Sequence, residues 1–347
     1  MTISIGIMKK FLMGLLVLSL CKGLFGESSV EENQGKHKYL YGKQEIPVVF
    51  YVKENDKSNR YIARKGHLLK KPDARATVLI CHGFMCDKYD VRFLRFLFDN
   101  YNTFIFDMRA HGEVIEGQCC TFGRDEAYDV MGAAQFIKSQ PDLKDKPLIV
   151  YGFSMGAASS ILAQSMEPTL FTAAIWDCPF ESSENLIARG LDRLRLNIWG
   201  YEFELPGKSL LQKYAYNDYV QSILKVVLKT VAKMDATQVV TCIVPIHPQE
   251  AIKKVTIPCL IIGCKNDDKA PQEAVQAVYN NAQGFKRLWI TNGRRHFDSF
   301  FYNPEKYSYK INRFIEKLLD KQLPEKAQEK IEIEIDETGD EKARDFL

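Results

Sequence analysis

The chain has 347 residues, 46% hydrophobic and 26% charged, with a formal net charge of +3 at pH 7. That is the composition of a globular protein, long enough for two domains or for one large α/β domain carrying an insertion. The near balance of charge excludes a polyanion partner held by bulk attraction, so no nucleic acid is expected.

The N-terminus comes first. Lys9 and Lys10 precede the short apolar run "FLMGLLVLSL", and "CKGLFGESS" follows. A basic start, an apolar centre and small residues near Gly26 have the order of a secretory signal peptide over residues 1–26. The apolar run is too short to span a bilayer comfortably. Other readings are a buried helix, an uncleaved anchor, or lipid attachment at Cys21, although leucine before that cysteine is a poor match. Removal of residues 1–26 takes away Lys9, Lys10 and Lys22 and no acid, and so brings the net charge to about zero. The expected localisation is export, periplasmic or secreted, with a short linker over residues 27–45. Without Cys21, eight cysteines remain. An even number in an exported chain predicts at least one disulfide, with Cys86, Cys119, Cys120, Cys178 and Cys242 as candidates. Cys81, Cys259 and Cys264 lie in or beside apolar strand patterns, where a buried thiol is the commoner state. No C-x-x-C pair points to a metal or to redox chemistry.

From Ile46 onward, strand and helix patterns alternate. "IPVVFYV" and "ATVLICHGF" read as strands. "KYDVRFLRFLFDNY" has Val91, Leu94, Leu97 and Phe98 at helical spacing. "NTFIFDM" is a strand, "RDEAYDVMGAAQFIKSQ" a helix, "KPLIVYGF" a strand, "MGAASSILAQSM" a helix and "FTAAIWD" a strand. After a long interval come "TIPCLIIG", "PQEAVQAVYNNA", "FKRLWIT" and "EKYSYKINRFIEKLL", again strand, helix, strand, helix. Such alternation predicts a mostly parallel sheet with helices on both faces. Residues 182–253 break the pattern. "SENLIARGLDRLRLNIWG" and "YVQSILKVVLKTVAKM" are amphipathic, and the region reads as a helical cap inserted between two sheet strands. In the charged segment 323–347, "KIEIEIDE" alternates isoleucine with charge. It could extend a sheet edge, but the charge favours a disordered tail.

The chemistry concentrates at "GFSMG". Ser154 stands between a predicted strand and a predicted helix, with Gly152 and Gly156 two residues to either side. A serine hydroxyl is a weak nucleophile unless it protrudes and has a base beside it. A tight strand-to-helix turn supplies the exposure, the glycines relieve the crowding, and the helix start aims N–H groups at developing negative charge.

With these residues in view, the chain resembles the α/β-hydrolase family. Further landmarks are "CHGF" at Cys81–Phe84, "DMRAHG" at Asp107–Gly112, "GCKNDDKAP" after a late strand and "NGRRH" after the last one. "DCPFE" at Asp177–Glu181 and "AIKKVTIPCLIIG" are most similar to bacterial serine aminopeptidase-like and Bem46-like hydrolases. The resemblance covers roughly residues 46–322 and implies a catalytic triad in the order Ser154, acid, His296. Of six histidines, His296 alone follows the last core strand. Asp267 stands four residues before Pro271, in keeping with the family's D-x-x-x-P, and is preferred to its neighbour Asp268. The oxyanion hole falls to the backbone N–H groups of Met155 and Phe84. Asp107, Arg109 and His111 read as structural, bracing the loop near His82. The implied activity is a serine hydrolase acting on an ester or thioester with an apolar acyl group, with no cofactor and no metal. A peptidase or amidase, an acyltransferase, or a non-catalytic binding member of the fold are the alternatives.

Overall fold

The computed structural model describes residues 45–115, 117–198, 201–204, 207–223, 239–323 and 330–333. The segment read as a signal peptide, and most of the linker behind it, lie outside those residues. No described helix is long and apolar enough to cross a membrane.

Nine strands form one sheet: β1 Glu45–Lys53, β2 Tyr61–Leu69, β3 Thr77–Cys81, β4 Asn102–Phe106, β5 Leu148–Phe153, β6 Ala173–Asp177, β9 Cys259–Cys264, β10 Lys286–Thr291 and β11 Lys330–Ile333. Their spatial order is β1-β2-β4-β3-β5-β6-β9-β10-β11. β2 runs antiparallel to both its neighbours, and every pairing from β4 to β11 is parallel. Every residue of β3, β4, β5, β6 and β9 is buried. These are the strands that read as continuous apolar runs, because a parallel sheet has no wet face.

The main helices are α1 Glu126–Ser139, α2 Met155–Met166, α3 Ser183–Arg193, α4 Lys208–Lys213, α5 Gln272–Asn281 and α6 Pro304–Leu319. Both faces of the sheet are covered. On one, the Trp176 indole N–H donates to Ser160 of α2 at 2.9 Å. On the other, the Tyr151 hydroxyl meets that of Tyr307 on α6 at 2.8 Å. Residues Arg92–Phe98 coil as a 3-10 helix rather than an α-helix, yet they bury Leu94, Leu97 and Phe98 as their spacing requires.

Two readings change. The segment read as one amphipathic helix from Ser183 ends at Arg193, and Arg195–Ile198 (β7) pairs antiparallel with Tyr201–Glu204 (β8) as a separate hairpin. The insertion is therefore mixed rather than purely helical among its described residues. The tail was expected to be disordered, but its Lys330–Ile333 forms β11, in parallel register with Arg287–Ile290. The exposed edge of β10 supplies backbone partners that a local charge count cannot register.

Candidate active site

Ser154 follows β5 directly and precedes α2. Its backbone has φ 52° and ψ −118°, a conformation that costs an L-residue energy and persists only where the surroundings enforce it. They do so through backbone contacts. The Ser154 N–H donates to the Asp177 carbonyl at 2.9 Å, and the Ala158 N–H donates to the Ser154 carbonyl at 3.1 Å. A Cβ on Gly152 would lie 2.6 Å from the Gly156 carbonyl oxygen, so strand and helix approach closely only because the side chain is missing.

His296 follows β10 and Asp267 follows β9. The structure brings all three predicted side chains together. Ser154 Oγ lies 2.8 Å from His296 Nε2, and His296 Nδ1 lies 2.7 Å from Asp267 Oδ2. With Nδ1–H donating to the carboxylate, Nε2 is left to accept from the serine hydroxyl. Asp267 is buried, and its other oxygen accepts the N–H groups of Lys269 and Ala270 at 2.8 and 2.9 Å. Asp268 points elsewhere and pairs with Arg193 at 2.6 Å in an exposed setting.

The turn after β3 brings Phe84 to the same edge. Buried His82 donates from Nδ1 to the Gly83 carbonyl and accepts the Met108 N–H on Nε2, at 2.8 and 2.9 Å. Burial pushes its pKa down to about 3, so it is neutral. His111 accepts the Met85 N–H at 3.1 Å, and Asp107 accepts from the Lys88 backbone and ammonium at 2.8 and 2.6 Å. Arg109 clamps Asp129 in the interior. These contacts brace the loops behind Phe84, as the sequence suggested. Met155 is buried at the first position of α2, its backbone beside the nucleophile turn.

A family model described as serine aminopeptidase, S33, matches residues 72–297, a span that contains every residue of this constellation. The chain belongs to this α/β-hydrolase family. This hydrolase is 27% identical over 262 residues to the uncharacterized protein YqkD of Bacillus subtilis (strain 168), covering 74% of its own length and 76% of the relative's. Among solved structures it is similar in fold to the Pyrococcus furiosus esterase Pf2001, with a TM-score of 0.59, 21% identity and coverage of 79% and 93% of the two chains. A thermophilic esterase from Thermogutta terrifontis gives a TM-score of 0.53 at 15% identity, with coverage of 78% and 99%.

Two residues of the hydrolase's site, Asp177 and Cys178, were given no place there by sequence, although Cys178 was named as a disulfide candidate and both lie in "DCPFE". Asp177 ends β6, fully buried, and accepts from the Tyr307 hydroxyl at 2.6 Å. Burial raises its pKa to about 7, against the opposing Tyr307 bond and with help from the charge of Asp267. A carboxylate closing an otherwise apolar strand was the signal for it. Cys178, next in the chain, has φ 42° and holds its sulfur 4.0 Å from His296 Nε2. One oxygen of Asp267, the Cys178 sulfur and a nitrogen of His296 lie within 4.8 Å of one another, the one group of metal-ligand type among the described residues. Both imidazole nitrogens and Asp267 Oδ2 are already engaged in the hydrogen-bonded chain, so a metal there would have to break it.

The insertion sits against the acid loop. Arg189 of α3 donates to the Lys269 carbonyl at 2.9 Å and pairs with Glu181, and Arg193 reaches Asp268. Leu191, Leu194, Leu211 and Ala215 form the insertion's own small core, while Leu186 packs on the main domain. Tyr201, Phe203 and Leu210 are exposed. The side chains of Ile198 and Trp199 lie outside the described set, as does most of "YVQSILKVVLKTVAKM". All eight described cysteines are free thiols in this structure, with no bond yet between any of the disulfide candidates.

Proposed function

We propose that the chain is a serine hydrolase that cleaves an acyl ester or thioester through Ser154, His296 and Asp267. The observation that carries this reading is the continuous hydrogen-bonded chain from Ser154 Oγ through both imidazole nitrogens to a buried carboxylate, at 2.8 and 2.7 Å. In the reaction, Ser154 Oγ attacks the acyl carbonyl while His296 Nε2 takes the hydroxyl proton. Asp267 holds the ring and offsets the imidazolium charge. The imidazolium then protonates the departing alcohol or thiol. Water, deprotonated in turn by His296, releases the acid from Ser154. The N–H groups of Met155 and Phe84 are assigned to the oxyanion, where two preorganised donors are worth several kcal/mol of barrier, roughly 3 each. None of these steps calls on a cofactor.

The substrate assigned is a small molecule with an apolar acyl group, a reading supported by the exposed apolar side chains Tyr201, Phe203 and Leu210 that the insertion carries. Export is proposed on the strength of the N-terminal pattern alone. A second reading, cleavage of a peptide or amide, is favoured by the serine aminopeptidase description of the family. The test of the hydrolase reading is fluorophosphonate labelling. Ser154 is expected to be labelled and Ser154→Ala to be silent while folded. An unlabelled wild type, or a labelled alanine variant, overturns it.

A further inference from the structure

Away from the nucleophile, one pair of side chains carries chemistry that acyl cleavage does not use. Cys119 lies on the loop between β4 and α1, and Cys242 lies on the segment that returns from the insertion. Their backbones run side by side. The Cys120 N–H donates to the Val240 carbonyl at 2.7 Å, the Cys242 N–H donates to the Cys120 carbonyl at 2.9 Å, and Cys120 bridges Thr241 in parallel.

Side chains alternate along paired segments. Cys120 turns inward, and its sulfur touches Met155 Sδ at 3.4 Å. Cys119 and Cys242 each stand one residue from the Cys120–Thr241 bridge, and so share the opposite, half-exposed face. The Cys119 thiol is pushed up to about 12, first by burial and then by the Cys242 thiol beside it. Cys86, the other half-exposed cysteine, is surrounded by Asp87, Asp90 and Lys269 instead of a thiol.

We propose that Cys119 and Cys242 form a disulfide that pins the return of the insertion to the loop packed on Met155. In its formation each thiol gives up one proton and one electron. A disulfide oxidant such as oxidised glutathione accepts both electrons and both protons and leaves as two thiols. The bond closes the chain between residues 119 and 242, a long loop whose freedom in the unfolded state it would curtail. The parallel pairing sets Cys119 opposite Val240 and Cys242 opposite Thr121, so the two thiols are diagonal neighbours on one face. The high thiol pKa makes the reaction slow at neutral pH and faster as pH rises.

The experiment takes the full chain, reduced, into a glutathione redox buffer near pH 8.5. Alkylation without reduction and mass spectrometry follow, and thermal unfolding is measured on both forms. The expected result is a peptide pair joined through Cys119 and Cys242, with Tm raised by roughly 5–10 °C on oxidation. Cys119→Ser and Cys242→Ser should each lose the link and the shift, while Cys86→Ser keeps both. Free alkylation of Cys119 and Cys242 after oxidation, a Cys119–Cys120 bond, glutathione capping alone, or a link without any rise in Tm would each overturn the proposal. Should a serine variant fail to fold, the wild-type comparison of oxidised with reduced chain still decides. Neither readout involves hydrolysis, so the result is independent of the reaction assigned to Ser154.

Discussion

Gly156 lies against the backbone of Cys81. A Cβ at that glycine would stand 2.2 Å from the Cys81 carbonyl oxygen and 2.6 Å from its carbonyl carbon. The first turn of α2 therefore touches the end of β3, and this contact sets how far Ser154 projects from the sheet. The strained Ser154 backbone is stable because helix and strand cannot move apart without exposing apolar surface on both.

Gly156→Ala is expected to destabilise the fold by about 2 kcal/mol or more, since the obstacle is rigid backbone. Activity should fall further than stability, because the nucleophile is displaced. Gly190→Ala in α3 is the control, with nothing within 4 Å of the new methyl group. It should gain up to about 1 kcal/mol from helix propensity. Urea unfolding of the two variants checks both signs.

The two adjacent aspartates differ in surroundings rather than type. Asp267 is buried on His296, and Asp268 is exposed on Arg193. Asp267→Asn should lower kcat by roughly 10⁴, as an amide favours the wrong imidazole tautomer. Asp268→Asn loses only a surface pair and should stay within about threefold, since such pairs contribute at most ~1 kcal/mol. Steady-state kinetics on a p-nitrophenyl ester decides, and a reversed order would reassign the acid.

Chain length is the test of the apolar acyl assignment. Each methylene that leaves water adds up to about 0.8 kcal/mol to transition-state binding until the pocket is full. For p-nitrophenyl esters, kcat/KM should rise from acetate to medium chains and then level or fall. A steady decline from acetate rejects the assignment, and activity on aminoacyl amides without any on esters favours the peptidase reading.

What could be read from sequence follows the range of the interactions involved. The turn at Ser154 is local: five residues contain the nucleophile, both space-saving glycines and the helix start. Asp267 and His296 are distant in sequence, but each directly follows a buried strand whose apolar run is unmistakable. The 183–198 stretch was misread because leucines and arginines at helical spacing continue into "RLNI", and only pairing with Tyr201–Glu204 decides for a hairpin. Lys330–Ile333 is a strand because β10 has a free edge, a fact of tertiary structure. Asp177 closes an apolar strand, and nothing local in the sequence marks its role. Its partner Tyr307 lies 130 residues ahead in the chain and meets Tyr151 of the neighbouring parallel strand in turn.

His82 predicts an acid-side loss of stability. Its pKa is held down to about 3 by burial, and then by His111, against an ordinary value of 6.5. As pH falls below 6.5 the unfolded chain takes up a proton that the folded chain refuses. The stabilisation is complete above pH 6.5 and is lost progressively towards pH 3. The slope from this one group is at most about 1.4 kcal/mol per pH unit. Urea unfolding across pH 4.5–6.5 should show His82→Gln, if folded, with that slope removed.

Asp177 acts in the opposite direction over nearly the same range. Its folded pKa of about 7 lies above the ordinary 3.8, chiefly because burial disfavours the charge. Between those values the folded chain keeps a proton that the unfolded chain has released, so stability is present below pH 4 and is lost as pH rises to 7. In the wild type the slopes of His82 and Asp177 largely cancel between pH 4.5 and 6.5, and buried His67, lowered to about 4, leaves a net rise with pH. Removing one partner should expose the other. Asp177→Asn keeps an oxygen able to accept from Tyr307, and should make stability climb with pH through this window. At pH 8 it should be more stable relative to wild type than at pH 4.5, by up to about 3 kcal/mol. His82→Gln should show a nearly flat profile over the same window, since the rise left by His67 then opposes the fall from Asp177. If both variants keep the wild-type profile, neither group carries the proton linkage, and the pH dependence must come from groups outside this buried pair.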